Sequence, residues 1–433
     1  MDDDTLGKIA IRRITWRLVP FLMLCYFIAF IDRVNLGFAG HDLSQDLHFS
    51  STVFGLGAGV FFLAYFIFEV PSNLLLERVG ARRWIARIMI TWGVIAAAMA
   101  LITGVWSFYL LRALLGLAEA GFFPGVILYL TYWFPREHRA RIVGYFMLAI
   151  PISTFLGSPI SGVILDGMGG VAGLRNWQWL FILEALPAIV LGFIVLFVLP
   201  DGPAVAAWLP PEERAWLDRR LAAERRESAH YPRQSVWRIM ADKRVMVLGL
   251  VYAGSSATNY GLSFWQPQLI KSFGMSNTWA GVLNAIPFMV GSVAMVLWGV
   301  HSDRKGERVW HTSAALFVSA LGLGTCIFVS NSLPLTLVAL SAALVGCYAL
   351  KGPFWALSSE WLAAGAAATG LAQINALGNL AGFVGPFLLG WIKDETGSYG
   401  LGMLPMIALA VTGGFAVLAN GKRTAVPLAH PAE

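Results

Sequence analysis

The sequence predicts an all-α membrane protein, with twelve transmembrane helices in two pseudo-symmetric halves of six. Three observations carry this. The 433-residue chain is 57% hydrophobic and 13% charged, whereas a soluble globular chain is about 25% charged. Its hydropathy divides into about twelve apolar runs that meet the ~20-residue length of a membrane-spanning helix. One long polar segment, 201–242, leaves six runs on either side.

In order, the apolar cores are 18–39, 51–76, 84–104, 106–134, 142–165 and 177–199, then 245–270, 278–300, 310–330, 334–361, 367–392 and 399–420. An even number of spans returns the chain to its starting side, and the basic residues choose that side. Lys8, Arg12, Arg13, Arg17, Arg78, Arg82, Arg83, Arg136, Arg139, Arg141, Arg304, Lys305, Arg308, Lys422 and Arg423 all lie at a terminus or after an even-numbered span. The opposite loops hold mainly His41, Asp42, Asp46, Asp166, Arg175, Lys271, Lys393, Asp394 and Glu395. Lys and Arg mark cytoplasmic loops, so both termini are expected in the cytoplasm. The connection near Ala363–Ala367 has no basic residue. Met1–Arg17 carries three aspartates among its basic residues and no small-residue cleavage site, so it does not read as a signal peptide.

The polar segment holds Pro210-Pro211-Glu212-Glu213-Arg214, a helix start, then Trp216, Leu217 and Leu221 on one face. It reads as a cytoplasmic linker whose amphipathic helix lies on the membrane surface or against the bundle. The resulting plan is 1–200, 201–242 and 243–433. Internal similarity supports it. Glu77-Arg78-Val79-Gly80-Ala81-Arg82-Arg83-Trp84 aligns with Asp303-Arg304-Lys305-Gly306-Glu307-Arg308-Val309-Trp310, and Gly157-Ser158-Pro159 with Asp166 aligns with Gly385-Pro386 with Asp394. Two half-length repeats joined by a linker are a transporter plan, which places a binding site near midplane between the repeats.

Other classes are excluded or unsupported. There is no G-x-x-x-x-G-K-[ST] for ATP hydrolysis, and Gly55-Leu56-Gly57-Ala58-Gly59 lies inside a span. Cys25, Cys326 and Cys347 lack C-x-x-C spacing, and His41 and His48 are too isolated to argue a metal. The net charge of +6 sits in short loops, the pattern of membrane orientation and not of a polyanion-binding face. No cofactor, metal or nucleic-acid partner is expected.

The chemistry is expected where charges enter apolar runs. Within Trp106–Phe134, Arg112 and Glu119 are seven apart, which leaves them about 20° from eclipsed and roughly 10 Å apart on one helix face. A charge at membrane depth costs at least ~2.5–3.5 kcal/mol, so such residues normally face a bundle interior or a wet cavity. Pro124 and Gly125 follow one turn later, where freed backbone groups can also face a cavity. Asp32 and Arg33 sit about 100° apart on the first span, so each needs its own partner. In the functional reading Arg33 holds an anion by a forked hydrogen-bonded pair while Asp32 titrates; a local ion pair with Arg33 snorkelling is the structural alternative. Lys351, before Gly352-Pro353, marks a broken helix and either contacts a second carboxylate or pairs with an acid such as Glu119. Asn375 and Asn379 offer neutral hydrogen bonds, either to substrate or between helices. Tyr65, Asn259, Tyr260, Trp265 and Gln266 are weaker candidates, for which packing is the simpler role. Glu69, Glu184 and Glu360 also fall in apolar segments, Glu69 as an end-of-helix residue before Pro71.

On these motifs the chain resembles the major facilitator superfamily, and within it the anion:cation symporters. The carriers are Phe30-Ile31-Asp32-Arg33-Val34-Asn35, Phe68-Glu69-Val70-Pro71-Ser72-Asn73, the two Gly-and-Arg loops, and Gly121-Phe122-Phe123-Pro124-Gly125 leading to Trp133-Phe134-Pro135-Arg136-Glu137-His138-Arg139-Ala140-Arg141. Gly352-Pro353-Phe354-Trp355-Ala356-Leu357 is similar to bacterial members that import tartrate, phthalate and related acids. The resemblance implies proton coupling at Asp32 and Glu119, a substrate-carboxylate anchor at Arg33, and a matching arginine at Arg112. It implies a cytoplasmic gate at Glu77, Arg78, Gly80 and Arg82 and at Asp303, Arg304, Gly306 and Arg308, with Glu77 departing from the usual aspartate.

The expectation is a proton-coupled symporter, not an enzyme, that imports a small organic carboxylate by alternating access. A dicarboxylate or a hydroxy or aromatic acid are its candidates, and Arg33, Arg112, Lys351, Tyr65, Trp355, Asn375, Asn379 and Tyr260 its binding residues. It is expected as a monomer in the bacterial inner membrane. The alternatives are a symporter of a neutral or sugar-like solute and an anion uniporter or exchanger.

Overall fold

The computed structural model describes residues 3–229, 242–329, 331–362 and 367–421. The rest of the linker, the connection near Ala363–Ala367 up to residue 366, and Lys422 and Arg423 lie outside the described residues. Every regular element among the described residues is helical. The helices are α1 (Asp3–Leu47), α2 (Ser51–Val79), α3 (Ala81–Leu101), α4 (Val105–Thr131), α5 (Arg136–Gly167) and α6 (Asn176–Val198). After them come α7 (Pro211–Ala229) and α8 (Lys243–Lys271). The series ends with α9 (Asn277–Lys305), α10 (Val309–Phe328), α11 (Leu333–Trp361), α12 (Gly370–Thr396) and α13 (Tyr399–Gly421).

Eleven of these are long and apolar enough to cross a membrane. The seventh expected span, α8, has 29 residues but falls short in apolarity. It carries Ser255, Ser256, Thr258, Asn259, Ser263, Gln266 and Gln268, all buried. Those polar groups are kept from lipid by protein, as polar residues at membrane depth require.

The described residues fall into two compact units, one within Met1–Pro232 and Phe264–Ala285, the other within Arg233–Ser263 and Ile286–Glu433. In the first, α1 has 45 residues, about 68 Å at 1.5 Å per residue against a hydrocarbon core of about 30 Å. Its N-terminal extension packs on α7. Leu217 is fully buried there, Trp216 and Leu221 nearly so, and a Cβ at Gly7 would lie 2.5 Å from the Trp216 ring. Glu213 accepts from Arg13 at 3.1 Å, and Glu224 holds Arg139 at 2.5 Å, so α7 is tied to both α1 and α5.

The end of α5 and the start of α9 also meet inside the first unit. Asp166 accepts the backbone N–H groups of Asn277 (3.2 Å) and Thr278 (2.8 Å), placing a carboxylate at the positive end of α9. Lys271 pairs with Asp42. Gly162 and Gly281 permit this approach, since a Cβ at either would lie within 2.4 Å of a facing backbone oxygen.

Candidate functional site

Glycines set the geometry of the first unit's interior. A Cβ at Gly57 would sit 2.0 Å from the Phe108 ring, and one at Gly116 would sit 2.2 Å from the Phe61 carbonyl, so only glycine lets α2 and α4 come this close. The close crossing brings Arg112 to α2, where its Nε donates to the Gly57 carbonyl (3.1 Å) and a terminal nitrogen to the Ala58 carbonyl (3.2 Å). The Phe61 ring lies 4.8 Å from the same guanidinium. Arg112 thus spends its fork holding α4 to α2.

One helical segment later, α4 breaks. Glu119 is the last helical residue, Ala120 has ψ 131° and Gly121 has φ +88° before the helix restarts at Phe122. Pro124 explains the position: a proline ring clashes with the carbonyl four residues back, which here is Ala120, and the extended ψ turns that carbonyl aside. Gly121 is required twice, for its left-handed φ and because a Cβ would lie 2.2 Å from Ser72 Oγ.

At this break Glu119 forms an ion pair with Arg33 of α1. Both are buried, Glu119 to 1% and Arg33 to 6% exposure. Three rings surround the guanidinium, Phe61 at 5.4 Å, Tyr65 at 5.5 Å and Phe30 at 5.6 Å, close enough for cation–π attraction. Tyr65 is therefore beside the charge centre, as is Phe61, which the sequence did not single out. Asp32 points elsewhere, as the 100° offset requires. Its Oδ2 accepts from Trp92 Nε1 of α3 at 2.8 Å, another partner without a sequence signal, since a tryptophan in an apolar run looks like core.

The second unit holds the remaining candidates. Lys351 is half-buried just after the junction of the two pieces of α11 at Leu350, with Nζ 4.9 Å from the Tyr252 ring. Trp355 lies one turn on, 5.0 Å from Tyr252, and its buried indole N–H has no hydrogen-bond partner among the described residues. Tyr260, Asn375 and Asn379 are half-buried, and each has polar, ring or electrostatic partners within the protein. Glu119 has Arg33 as its counter-ion, not Lys351.

The repeated loops differ in their acids. At the first, Gly80 has φ +96°, and Asp201 accepts from the Arg82 N–H at 3.1 Å while pairing with its guanidinium at 3.5 Å; Glu77 and Arg78 are exposed. Asp201 follows the sixth span and escaped notice as the linker's first residue. At the second, Gly306 has φ +62°, and Arg308 pairs with Asp303 at 2.7 Å and with Glu360 at 3.7 Å, while Arg304 is exposed. Glu307 caps α10, accepting from the N–H groups of Trp310 (2.6 Å) and His311 (3.1 Å). Partial burial pushes its carboxyl up, but these hydrogen bonds, together with the His311 ring whose Nδ1 lies 2.7 Å from the carboxylate, outweigh that and hold it below the ordinary carboxylate range.

Comparison with known proteins agrees with this architecture. A protein of Agrobacterium vitis named "Putative tartrate transporter" is 54% identical over 391 residues, covering 90% of this chain and 86% of the relative. A protein of Pseudomonas putida named "Putative metabolite transport protein NicT" is 42% identical over 404 residues, covering 92% of this chain and 91% of the relative. The crystal structure of a bacterial homolog of the human lysosomal transporter Spinster, inward-facing and unoccupied, superposes with a TM-score of 0.72 at 17% identity, covering 94% of each chain; that likeness speaks for the fold alone. The family model described as Major Facilitator Superfamily matches residues 22–386, and the chain belongs to that family of membrane transporters.

Proposed function

We propose that this protein is a proton-coupled importer of a small organic anion, a hydroxy dicarboxylate of the tartrate class. The observation that carries the reading is the buried Arg33–Glu119 ion pair. A cation held at membrane depth by a single titratable acid is a switch: an incoming carboxylate and the Glu119 charge compete for one guanidinium, so each favours the state that lacks the other. A proton on Glu119 leaves Arg33 with its planar fork for a substrate carboxylate, and linkage makes the effect reciprocal. Asp32, on the other side of α1, is the second titratable group, and Arg112 orients α4. Lys351, with Trp355 and Tyr252 beside it, is proposed as a further anion-contacting cation, with Tyr260, Asn375 and Asn379 as polar contacts. The loop residues Glu77, Arg78, Gly80, Arg82, Asp303, Arg304, Gly306 and Arg308 are proposed to gate the cytoplasmic side during alternating access. The names borne by the tartrate-type relatives favour this substrate class over phthalate or a neutral solute. The protein is proposed to act as a monomer in the inner membrane, with no nucleic-acid partner.

The test is uptake of labelled tartrate into vesicles holding the purified protein, with the outside made acidic. Wild type is expected to accumulate tartrate, Glu119→Gln to lose accumulation yet retain exchange of labelled for unlabelled substrate, and Arg33→Ala to lose binding. Full gradient-driven accumulation by Glu119→Gln sinks the proton assignment. A thermal-shift response to neutral sugars and none to carboxylates sinks the substrate class.

A further inference from the structure

Asp32, the second titratable group of the reading above, has two buried neighbours across α1 from the Arg33–Glu119 pair to which that reading gives no role, Asn35 and Glu184. Glu184 of α6 is 5% exposed, Asp32 2% and Asn35 2%. Each has an atom shut off from solvent and, among the described residues, without a hydrogen-bond partner: Glu184 Oε2, Asp32 Oδ1 and Asn35 Nδ2. Asn35 lies beside Glu184 although no bond of ordinary geometry joins them, and the two carboxyl groups interact electrostatically. Among the described residues neither carboxyl forms an ion pair with a lysine or arginine. What faces them is Trp92 of α3 on Asp32, Ser161 of α5 on Glu184, and, more remotely, the charge of Glu119 on Asp32. Arg33 is turned to Glu119.

Ser161 carries the decisive geometry. Its Oγ is 2.7 Å from Glu184 Oε1 and 3.1 Å from the Gly157 carbonyl. A serine hydroxyl has one hydrogen to donate and two lone pairs to accept with. One hydrogen shared between the two acceptors would leave both bonds weak; two full hydrogen bonds form when the serine hydrogen goes back to the Gly157 carbonyl, the ordinary i−4 bond of a helical serine, and a protonated Glu184 donates to the serine oxygen. We propose that Glu184 carries a proton and forms, with Asp32, Asn35 and Ser161, a second proton-binding site of the first unit, across α1 from the Arg33–Glu119 pair. Two acids without a cation in a water-poor interior cannot both stay charged, because an isolated buried carboxylate neutralises instead of paying its desolvation cost. The groups around them are mainly donors, and among the described residues no cluster of three or more acids, histidines or cysteines is placed to hold a metal ion. The site extends the coupling proposed above but is defined without it.

The test needs no substrate, so its failure is separable from failure of the transport reading. Difference infrared spectra of the purified, detergent-solubilised protein at neutral pH are expected to contain the carbonyl stretch of a protonated, buried carboxyl group. Glu184→Gln is expected to remove that band while melting close to wild type, because the amide N–H2 takes over the donation to Ser161. Ser161→Ala is expected to keep the band and shift its frequency, and it serves as the second probe should Glu184→Gln fail to fold. Spectra in which Glu184→Gln changes nothing, or Ser161→Ala leaves the band unmoved, overturn the proposal. Replacing choline by sodium is expected to leave the melting temperature unchanged. A sodium-dependent rise that Glu184→Gln abolishes overturns the proton assignment in favour of a metal cation.

Discussion

Arg33 and Glu119 hold each other's charge where water does not reach, and the energetics of such pairs are asymmetric. Removing one partner strands the other and costs about 3–5 kcal/mol, whereas replacing both by apolar residues of similar size is often neutral or stabilising. Arg33→Met alone is therefore expected to lower the melting temperature of the purified protein clearly, and adding Glu119→Leu to restore most of the loss while leaving transport dead. A double variant that melts as low as the single one would show that the pair does not link α1 to α4. Arg33, Glu119, Asp32 and Arg112 were legible in the sequence because a charge inside an apolar run announces its own cost. Trp92 and Ser161 were not, since a neutral polar group carries little penalty and makes sense only once its partner is known. Asp201 stayed hidden for another reason: at the edge of a polar linker a carboxylate is ordinary, and only its approach to α3 gives it a role.

Helix breaks and caps govern the next scale. Pro124 and Gly125 pointed to irregular backbone in α4, and the break itself lies at Ala120–Gly121 because proline acts on the carbonyl four residues before it. Gly121→Ala is expected to destabilise by about 1–2 kcal/mol from the left-handed conformation alone, and by more from the contact at 2.2 Å with Ser72 Oγ. Gly104→Ala, where a Cβ meets nothing within 4 Å, is the control that should stay near wild type in the same melt. At α10 the capping carboxylate adds a pH signature. Glu307 is held below its ordinary range in the folded state, so its contribution is present above its unfolded value, near 4.3, and is lost as pH falls through the folded one. Glu307→Gln should thus melt lower than wild type at pH 7, and the two curves should converge in strong acid; a gap that stays constant across that range would exclude charge as the source of the cap. Hydropathy counted α8 among the spans, yet it falls short of the apolarity of the other eleven, and its pattern gave no hint that its polar residues would be buried, because their shelter comes from the surrounding protein.

At the scale of the whole molecule, eleven of the twelve expected spans are long and apolar enough to cross a membrane among the described residues, and of the two placements offered for α7 the structure has it against the helices; its partners were not readable, because they lie 85 to 200 positions away, as Arg139 from Glu224 and Arg13 from Glu213. The chain's charges are proposed to set its orientation. Basic residues gather at the ends of α2 and α9 and at the starts of α1 and α5, and such an excess is expected on the cytoplasmic side. The three native cysteines, Cys25, Cys326 and Cys347, are all buried, so a membrane-impermeant maleimide has no native target in the folded protein and single introduced cysteines report sidedness directly. Glu212, exposed at the start of α7, and Val171, exposed in the loop between α5 and α6, lie on opposite sides in this reading. In intact spheroplasts Val171→Cys is expected to label fully and Glu212→Cys not at all until the membrane is permeabilised. The reverse pattern would invert the topology, and with it the side on which the Gly80 and Gly306 loops and the carboxylates that hold their arginines work.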